Sequence, residues 1–425
     1  MIKTEKIIIL IILIFTALQI IILFTFGYTP YHDSDYYIIH ATESLKQGEF
    51  FYPTFQKIKE DDFIWNIGSI NAVLWSLAVF RSITPLLITY SLMKGATALF
   101  VYIITKNIIN SKAALLALII YVIYPANYGE STSTLSEIPF IFFNVAGIAV
   151  AIAAKKHFAG GTLMAAGNWF RPMSLIFMLS MVIFYIFKRQ NVRKNIIQLL
   201  SGYIIMTAVL GGISYINNGK FIYQGRQGWI TLMQYSWNND RNHENDRDLF
   251  NDSDPMYYDK NGLDCLQRDS LWRSKFFKWL ANNPGEYFRQ MPYKFFKTYI
   301  SDNVNMCTFI KDKDKKEYMY GEISMPVLAK SFPAYSKVQI LTMINLLFYY
   351  ALMIIFCIGT VYFLKKKEYN KIILSLSIIT LGTLLLMFVG HGEARYHTPF
   401  MPFVIMLVAA FLNDALQKRH KLTVQ

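Results

Sequence analysis

Charged residues are scarce in this chain: Asp, Glu, Lys and Arg make up 16% of its 425 residues, where an ordinary globular domain carries about 25%. With 54% of the residues hydrophobic, too little polar surface is left to face water all round, and a soluble protein is excluded. Cysteine is nearly absent. Three residues do not make a disulfide framework; Cys265 and Cys307 fall in one hydrophilic loop and could pair in an oxidising compartment, whereas Cys357 sits in an apolar block. No internal repeat, low-complexity tract or glycine-rich nucleotide-phosphate loop is seen, which excludes a repeat array and a P-loop enzyme.

What the chain does have is long apolar runs. Eleven blocks lie at 7–27, 65–80, 83–105, 113–127, 138–154, 159–170, 172–187, 195–216, 338–364, 372–390 and 398–415, and the longer ones match the roughly 30 Å hydrocarbon layer of a bilayer. The expected fold class is an all-α polytopic membrane protein. Lys3 and Lys6 precede the first block, which is too long for a secretory h-region and runs into Phe-Gly-Tyr-Thr-Pro, so it is expected to stay as the first span. The parity of the rest follows from the positive-inside rule. If 65–80 crossed the bilayer, Lys155, Lys156 and the basic stretch 188–194 would face away from Lys3 and Lys6. If it lies flat as an interfacial helix, for which Asn66, Asn71 and Trp at 65 and 75 suit it, then Lys106, Lys112, Lys155, Lys156, the 188–194 cluster, Lys365–Lys367, Lys371 and the 418–421 cluster all fall on the cytoplasmic side. The sequence therefore predicts ten spans in the plasma (inner) membrane, with both termini cytoplasmic.

Three regions result: 1–216, a transmembrane core with a long first outer loop at 28–82; 217–336, an extracytoplasmic subdomain; and 337–425, the last spans with a cytoplasmic tail. The 217–336 loop holds 17 Lys/Arg against 15 Asp/Glu, so the net charge of +14 comes mainly from cytoplasmic ends. Those residues act as topology anchors, and nucleic-acid binding is not indicated. All seven Trp fall on the outer half, where an aromatic belt accounts for the three nearest the membrane, and core packing or sugar stacking for the rest. The 239–254 tract, rich in Asn and Asp, is expected at the surface.

Once Lys and Arg fix the topology, the other ionisable residues near span ends can be placed independently, and they gather on the outer face. Asp33 and Asp35 follow the first span, Glu130 and Glu137 join the third to the fourth, Arg171 lies between the fifth and sixth, and His391-Gly392-Glu393-Ala394-Arg395-Tyr396-His397 joins the ninth to the tenth. Ionisable groups beside hydrocarbon are costly and mark functional candidates. Each also has a plain reading. Asp33 caps the amphipathic helix that follows, or removes the proton of an attacking hydroxyl. Glu137 complements a helix N-terminus, or holds an acceptor or a divalent ion. Arg171 snorkels, or meets a phosphate. Glu393 and Arg395 pair structurally with Tyr396 beside them, or His391, Arg395 and His397 form a cationic turn braced by Pro399 and Pro402 that grips a leaving phosphate. Lys94, the one clear mid-span charge, reaches a lipid phosphate or pairs with a polar neighbour.

These features together resemble the membrane-embedded glycosyltransferases of the GT-C fold, in particular the protein O-mannosyltransferase and aminoarabinose-transferase-like (PMT-type) set: an early Asp in a long first outer loop, a flat amphipathic helix, an acidic residue entering the fourth span, Gly160-Gly161…Gly167…Arg171-Pro172, and Glu393-x-Arg395-Tyr396-x-x-Pro399-x-x-Pro402. The resemblance covers about 1–216 and 338–415. It implies inverting transfer of a sugar from a polyprenyl-phosphate or diphosphate donor to an acceptor glycan, lipid or protein hydroxyl, with Asp33 as base and Asp35 in reserve, Glu137 at the second acidic position, and Arg171, Arg395 and His397 on the phosphate side. Ser34 follows Asp33 where some members carry a second acidic residue, which leaves a divalent cation, Mg or Mn, an open requirement. Two other classes share parts of the pattern: an O-antigen polymerase or ligase-like glycan transferase, and a lipid-linked glycan transporter or flippase. Carriers place ionisable groups within their spans, whereas no span here has Asp or Glu at mid-depth.

Overall fold

The computed structural model describes residues 2–189, 191–237, 262–309, 337–390 and 392–424. Among these the regular elements are helical, apart from one isolated bridge between Ile64 and Arg226. In chain order they are α1 (Ile2–Phe26), α2 (His32–Lys46), α3 (Phe55–Glu60), α4 (Ile67–Phe80), α5 (Thr84–Ile108), α6 (Ser111–Ile123), α7 (Glu137–Ala153), α8 (His157–Phe170), α9 (Leu175–Lys188), α10 (Val192–Asn218), α11 (Gly228–Trp237), α12 (Cys265–Asn282), α13 (Pro284–Arg289), α14 (Met291–Tyr299), α15 (Lys337–Lys365), α16 (Tyr369–Val389) and α17 (Met401–Val424). A 3-10 turn, Ala394–Phe400, leads into α17. The 239–254 tract lies outside the described residues.

Among the described residues six helices are long and apolar enough to cross a membrane: α1, α5, α10, α15, α16 and the run Ala394–Lys418. Each of the ten segments expected to cross is helical, but the lengths separate them. α6 turns by 70° into Pro125–Thr132, because Pro125 cannot continue its hydrogen-bond ladder. α7 and α9, with 17 and 14 residues, reach only about 26 and 21 Å at 1.5 Å per residue. α4 is a 14-residue apolar helix of the same kind. The long helices carry apolar side chains on the outside: Ile9, Leu10, Leu13, Ile14, Ile21 and Phe24 of α1 are all exposed, which is the surface of a helix that meets lipid.

Close backbone contacts hold the middle of the bundle. A Cβ on Gly161 of α8 would lie 1.9 Å from the Leu199 carbonyl oxygen of α10, and one on Gly202 of α10 would lie 2.0 Å from that of Phe158. On its other side α8 meets α7, where a Cβ on Gly147 would lie 2.7 Å from the Gly160 carbonyl oxygen and one on Gly160 2.8 Å from that of Gly147. Small residues let helices approach in lipid, where no hydrophobic gain drives them together. Gly161→Leu should therefore part α8 from α10 and destabilise the protein by about 1–3 kcal/mol. The thermal midpoint of the detergent-solubilised variant tests this, and an unshifted midpoint would mean the two backbones do not meet.

The described parts of 217–336 are not a free-standing subdomain. Trp272, Phe276, Trp279 and Tyr287 build a small core with Ile230 and Met233, and the stretch after α14 is stitched into the bundle. Tyr349 donates to the Tyr299 carbonyl at 2.9 Å, Asn305 to that of Ala126 at 2.8 Å, and Thr308 to that of Gly129 at 3.1 Å. On the other flank Arg268 of α12 donates to the carbonyls of Glu60 and Asp61. Cys265 and Cys307 are both buried and are not bonded to each other, and the Cys307 thiol lies 3.0 Å from the Tyr31 hydroxyl.

Candidate functional site

α2 starts where Tyr31 takes the N-cap position, and the cap is served by Ser34. The Ser34 hydroxyl accepts from the Tyr31 amide at 2.8 Å and donates to its carbonyl at 2.7 Å. Asp33 thus stands in the first turn without being the cap. Its carboxylate instead meets Arg395, with Oδ2 2.6 Å from Nη2, and keeps 31% of its side chain exposed. The Thr134 hydroxyl donates to the Ser34 carbonyl at 3.1 Å, tying α2 to the loop before α7.

Glu137 opens α7 and is buried. Its Oε1 lies 2.5 Å from Nη1 of Arg171, the residue that ends α8 as the Arg171 amide closes onto the Gly167 carbonyl. A buried ion pair holds only if both partners stay, so this one fixes the start of α7 against the end of α8. Glu393, Arg395 and Tyr396 arrive from the far end of the chain. The turn carrying them is seated by Gly382 of α16, where a Cβ would lie 2.1 Å from the Phe400 ring, and by Gly392, whose φ of +77° suits glycine.

The four segments meet around one ring. Arg171 and Arg395 lie over Tyr396, with guanidinium carbons 4.8 and 5.5 Å from its centroid. Arg395 also approaches Glu393, Nε to Oε1 at 2.8 Å. Tyr37, four residues after Asp33 and on the same face of α2, is buried and accepts from Asn66 at 2.8 Å; Asn66 lies 3.4 Å from the Ser136 hydroxyl. Burial, with the Asp33 and Glu137 carboxylates beside it, pushes the Tyr37 phenol above its usual range. Three carboxylates thus face two guanidiniums, and the most open of them is Asp33. Such a site can accept a proton at Asp33 and offer cationic donors to an anion that displaces a carboxylate.

Other expected residues stand elsewhere. Asp35 accepts from the Tyr28 hydroxyl at 2.8 Å. Lys94 is enclosed, 2.5 Å from Glu130 and 3.1 Å from the Asn127 side-chain oxygen, both partners buried; of its two expected readings, lipid phosphate or polar neighbour, this geometry is the second. His397 is fully buried between the rings of Tyr299 and Tyr349. It donates through Nδ1 to the Thr298 carbonyl at 2.7 Å, with Nε2 3.7 Å from Asp302, so it too is placed as a brace of the turn rather than a phosphate contact. His391 lies outside the described residues. Sequence reasoning missed Tyr37, Asn66 and Asp302, which accepts from the Tyr124 hydroxyl. The spacing of Tyr37 from Asp33 was a signal for the first; nothing in the 217–336 sequence marked the last.

A second titratable group lies along the first loop. Burial pushes the His40 imidazole down to about 4 and the Asp61 carboxyl up to about 6, with their side chains 3.7 Å apart. Among the described residues no three His, Cys, Asp or Glu side chains are grouped to hold a metal ion. The sequence matches no protein-family model and no curated protein.

Proposed function

We propose that this chain is a glycosyltransferase that moves a sugar, with inversion, from a polyprenyl-phosphate-linked donor to an acceptor hydroxyl. The observation that supports the reading best is the meeting of Asp33, Glu137, Arg171, Glu393 and Arg395 around Tyr396. A polyprenyl chain is too apolar to leave the bilayer, so its head group has to be met by residues at helix ends, and that is where all five ionisable groups stand. In this reading the chain crosses the plasma membrane ten times with α4 lying flat, the termini are cytoplasmic, and the site opens on the outer face.

The chemistry follows from the side chains. The donor phosphate competes with Asp33 for Arg395, and the freed carboxylate takes the proton of the acceptor hydroxyl. That oxygen forms a bond to the anomeric carbon as the bond from carbon to phosphate oxygen breaks. The electron pair leaves on the phosphate, whose growing charge Arg395 stabilises. Glu137 holds Arg171 at the same ring, keeping a second guanidinium at that level. A short-chain polyprenyl-phosphate sugar with a radiolabelled sugar, supplied to the reconstituted protein with a cell-envelope acceptor extract, is expected to yield labelled product. A label that stays on the lipid in the presence of every acceptor fraction would defeat the proposal, and a label that crosses the vesicle wall unchanged would identify a flippase. Arg395→Ala is expected to weaken donor binding by about 1.5–3 kcal/mol, the value of hydrogen bonds to a charged group; unchanged donor affinity would remove Arg395 from the phosphate side.

A further inference from the structure

Five Lys or Arg residues among those described are buried: Lys57, Lys94, Arg268, Lys294 and Arg395. Four of them meet a carboxylate. Lys57 meets Glu43, Lys94 meets Glu130, Arg268 meets Asp62, and Arg395 meets Asp33 and Glu393. Lys294 meets a ring instead. It is only 4% exposed, and among the described residues the partner of its ammonium is Tyr287, 5.5 Å away at the ring centroid; Tyr287 is itself fixed by donating to the Phe388 carbonyl. An aromatic face compensates a desolvated ammonium only in part. Burial accordingly pushes the Lys294 amine down to about 8.

The place of Lys294 says what could complete it. A Cβ on Gly392 would come within 2.9 Å of the Lys294 backbone, so the loop that delivers Glu393 and Arg395 rests on this residue. One turn along α14, the Thr298 hydroxyl donates to the Lys294 carbonyl, and the Thr298 carbonyl accepts from His397. On the outside of the same helices Phe288, Tyr293, Phe295 and Phe296 are exposed. Phe288 meets Phe388 of α16 edge-on at 6.3 Å, which makes this aromatic surface continuous with that of a membrane-crossing helix. Tyr293, with its polar tip, suits the level of lipid head groups, and the three Phe rings present apolar surface to the acyl chains beside it.

We infer that Lys294 is the cationic floor of a binding site for a lipid-borne phosphate, set between α14, α16 and the loop at 392–395, with the exposed aromatic residues of α13 and α14 facing the apolar chain of the ligand. Two sources share that chemistry, a polyprenyl phosphate and a bilayer phospholipid. Assigning the site to the polyprenyl phosphate rests on the transferase reading above; the need of a buried ammonium for an anion does not.

The test is acetylation of the full chain in phosphate-free maltoside micelles at about pH 8, where half of this amine is neutral. Mass spectrometry reads Lys294, with the exposed Lys278 as internal reference. A polyprenyl phosphate at ten times its dissociation constant is expected to slow modification of Lys294 about tenfold, as occupancy requires, and to leave Lys278 unchanged. Equal protection by phosphatidylglycerol assigns the same site to bilayer phospholipid. Modification that neither lipid nor inorganic phosphate slows overturns the site. Lys294→Arg should keep, and Lys294→Met lose, the rise in thermal midpoint produced by the polyprenyl phosphate; if the Met variant does not fold, the acetylation result decides. Since modification requires no sugar transfer, a protein that protects Lys294 yet forms no product would sink the transferase reading and leave this site standing.

Discussion

Asp33→Asn is expected to abolish sugar transfer in a reconstituted assay while leaving the protein folded. The substitution keeps the side chain's size and its ability to accept from Arg395, which Glu393 also engages, so the turn should remain in place. What it removes is the group that takes the proton of the attacking hydroxyl, a contribution of about 10²–10⁴-fold in rate. Asp35→Asn is the control: that carboxylate is held by the Tyr28 hydroxyl on the other side of Ser34, and its loss should leave transfer within the range of the parent. Product formation by Asp33→Asn at an undiminished rate would take the base out of the mechanism. A thermal midpoint that falls together with activity would point to a structural role instead.

Lys94→Met should be the most destabilising single change. Lys94 Nζ and Glu130 Oε2 are 2.5 Å apart, with side chains only 3% and 4% exposed. Taking away one partner leaves the other charged and out of reach of water, at a cost of about 3–5 kcal/mol. The double variant Lys94→Met with Glu130→Gln should recover much of that loss, since no uncompensated charge remains. Denaturant unfolding of the purified protein in detergent compares the three. If the single variant is as stable as the parent, the pair is not buried as described; if the double variant is as poor as the single one, packing rather than charge is at fault. Donor binding should be unchanged in any variant that folds, because Lys94 is committed to Glu130 and Asn127.

How much of the site could be read in advance differs residue by residue. Asp33, Arg171 and Arg395 stand at block ends, where an ionisable side chain beside hydrocarbon is costly, and Lys/Arg asymmetry puts them on one expected face; in the structure they gather near one ring. Their partners were less legible. Glu137 was open between complementing a helix end and holding a ligand, and its geometry is a pair with Arg171, a contact between residues 34 apart in sequence. His397 looked like a cation beside Arg395, yet the Tyr299 and Tyr349 rings that enclose it come from other helices. Lys294 gave no signal at all, because its burial depends on α14 lying against α16 and the 392–395 loop.

The sequence alone determined that the chain is helical and lives in a bilayer, because those properties depend on composition and on runs of apolar residues that any one segment carries by itself. Tertiary structure alone decided which charge meets which. Burial and pairing are long-range properties, set when Gly161 and Gly202 let α8 and α10 touch, when Gly382 admits Phe400, and when the stretch after α14 enters the bundle. A carboxylate enclosed with its cation, as Glu130 is with Lys94, is an anchor, and a buried ammonium over a ring, as in Lys294, calls for an anion; no local pattern of residues distinguishes the two.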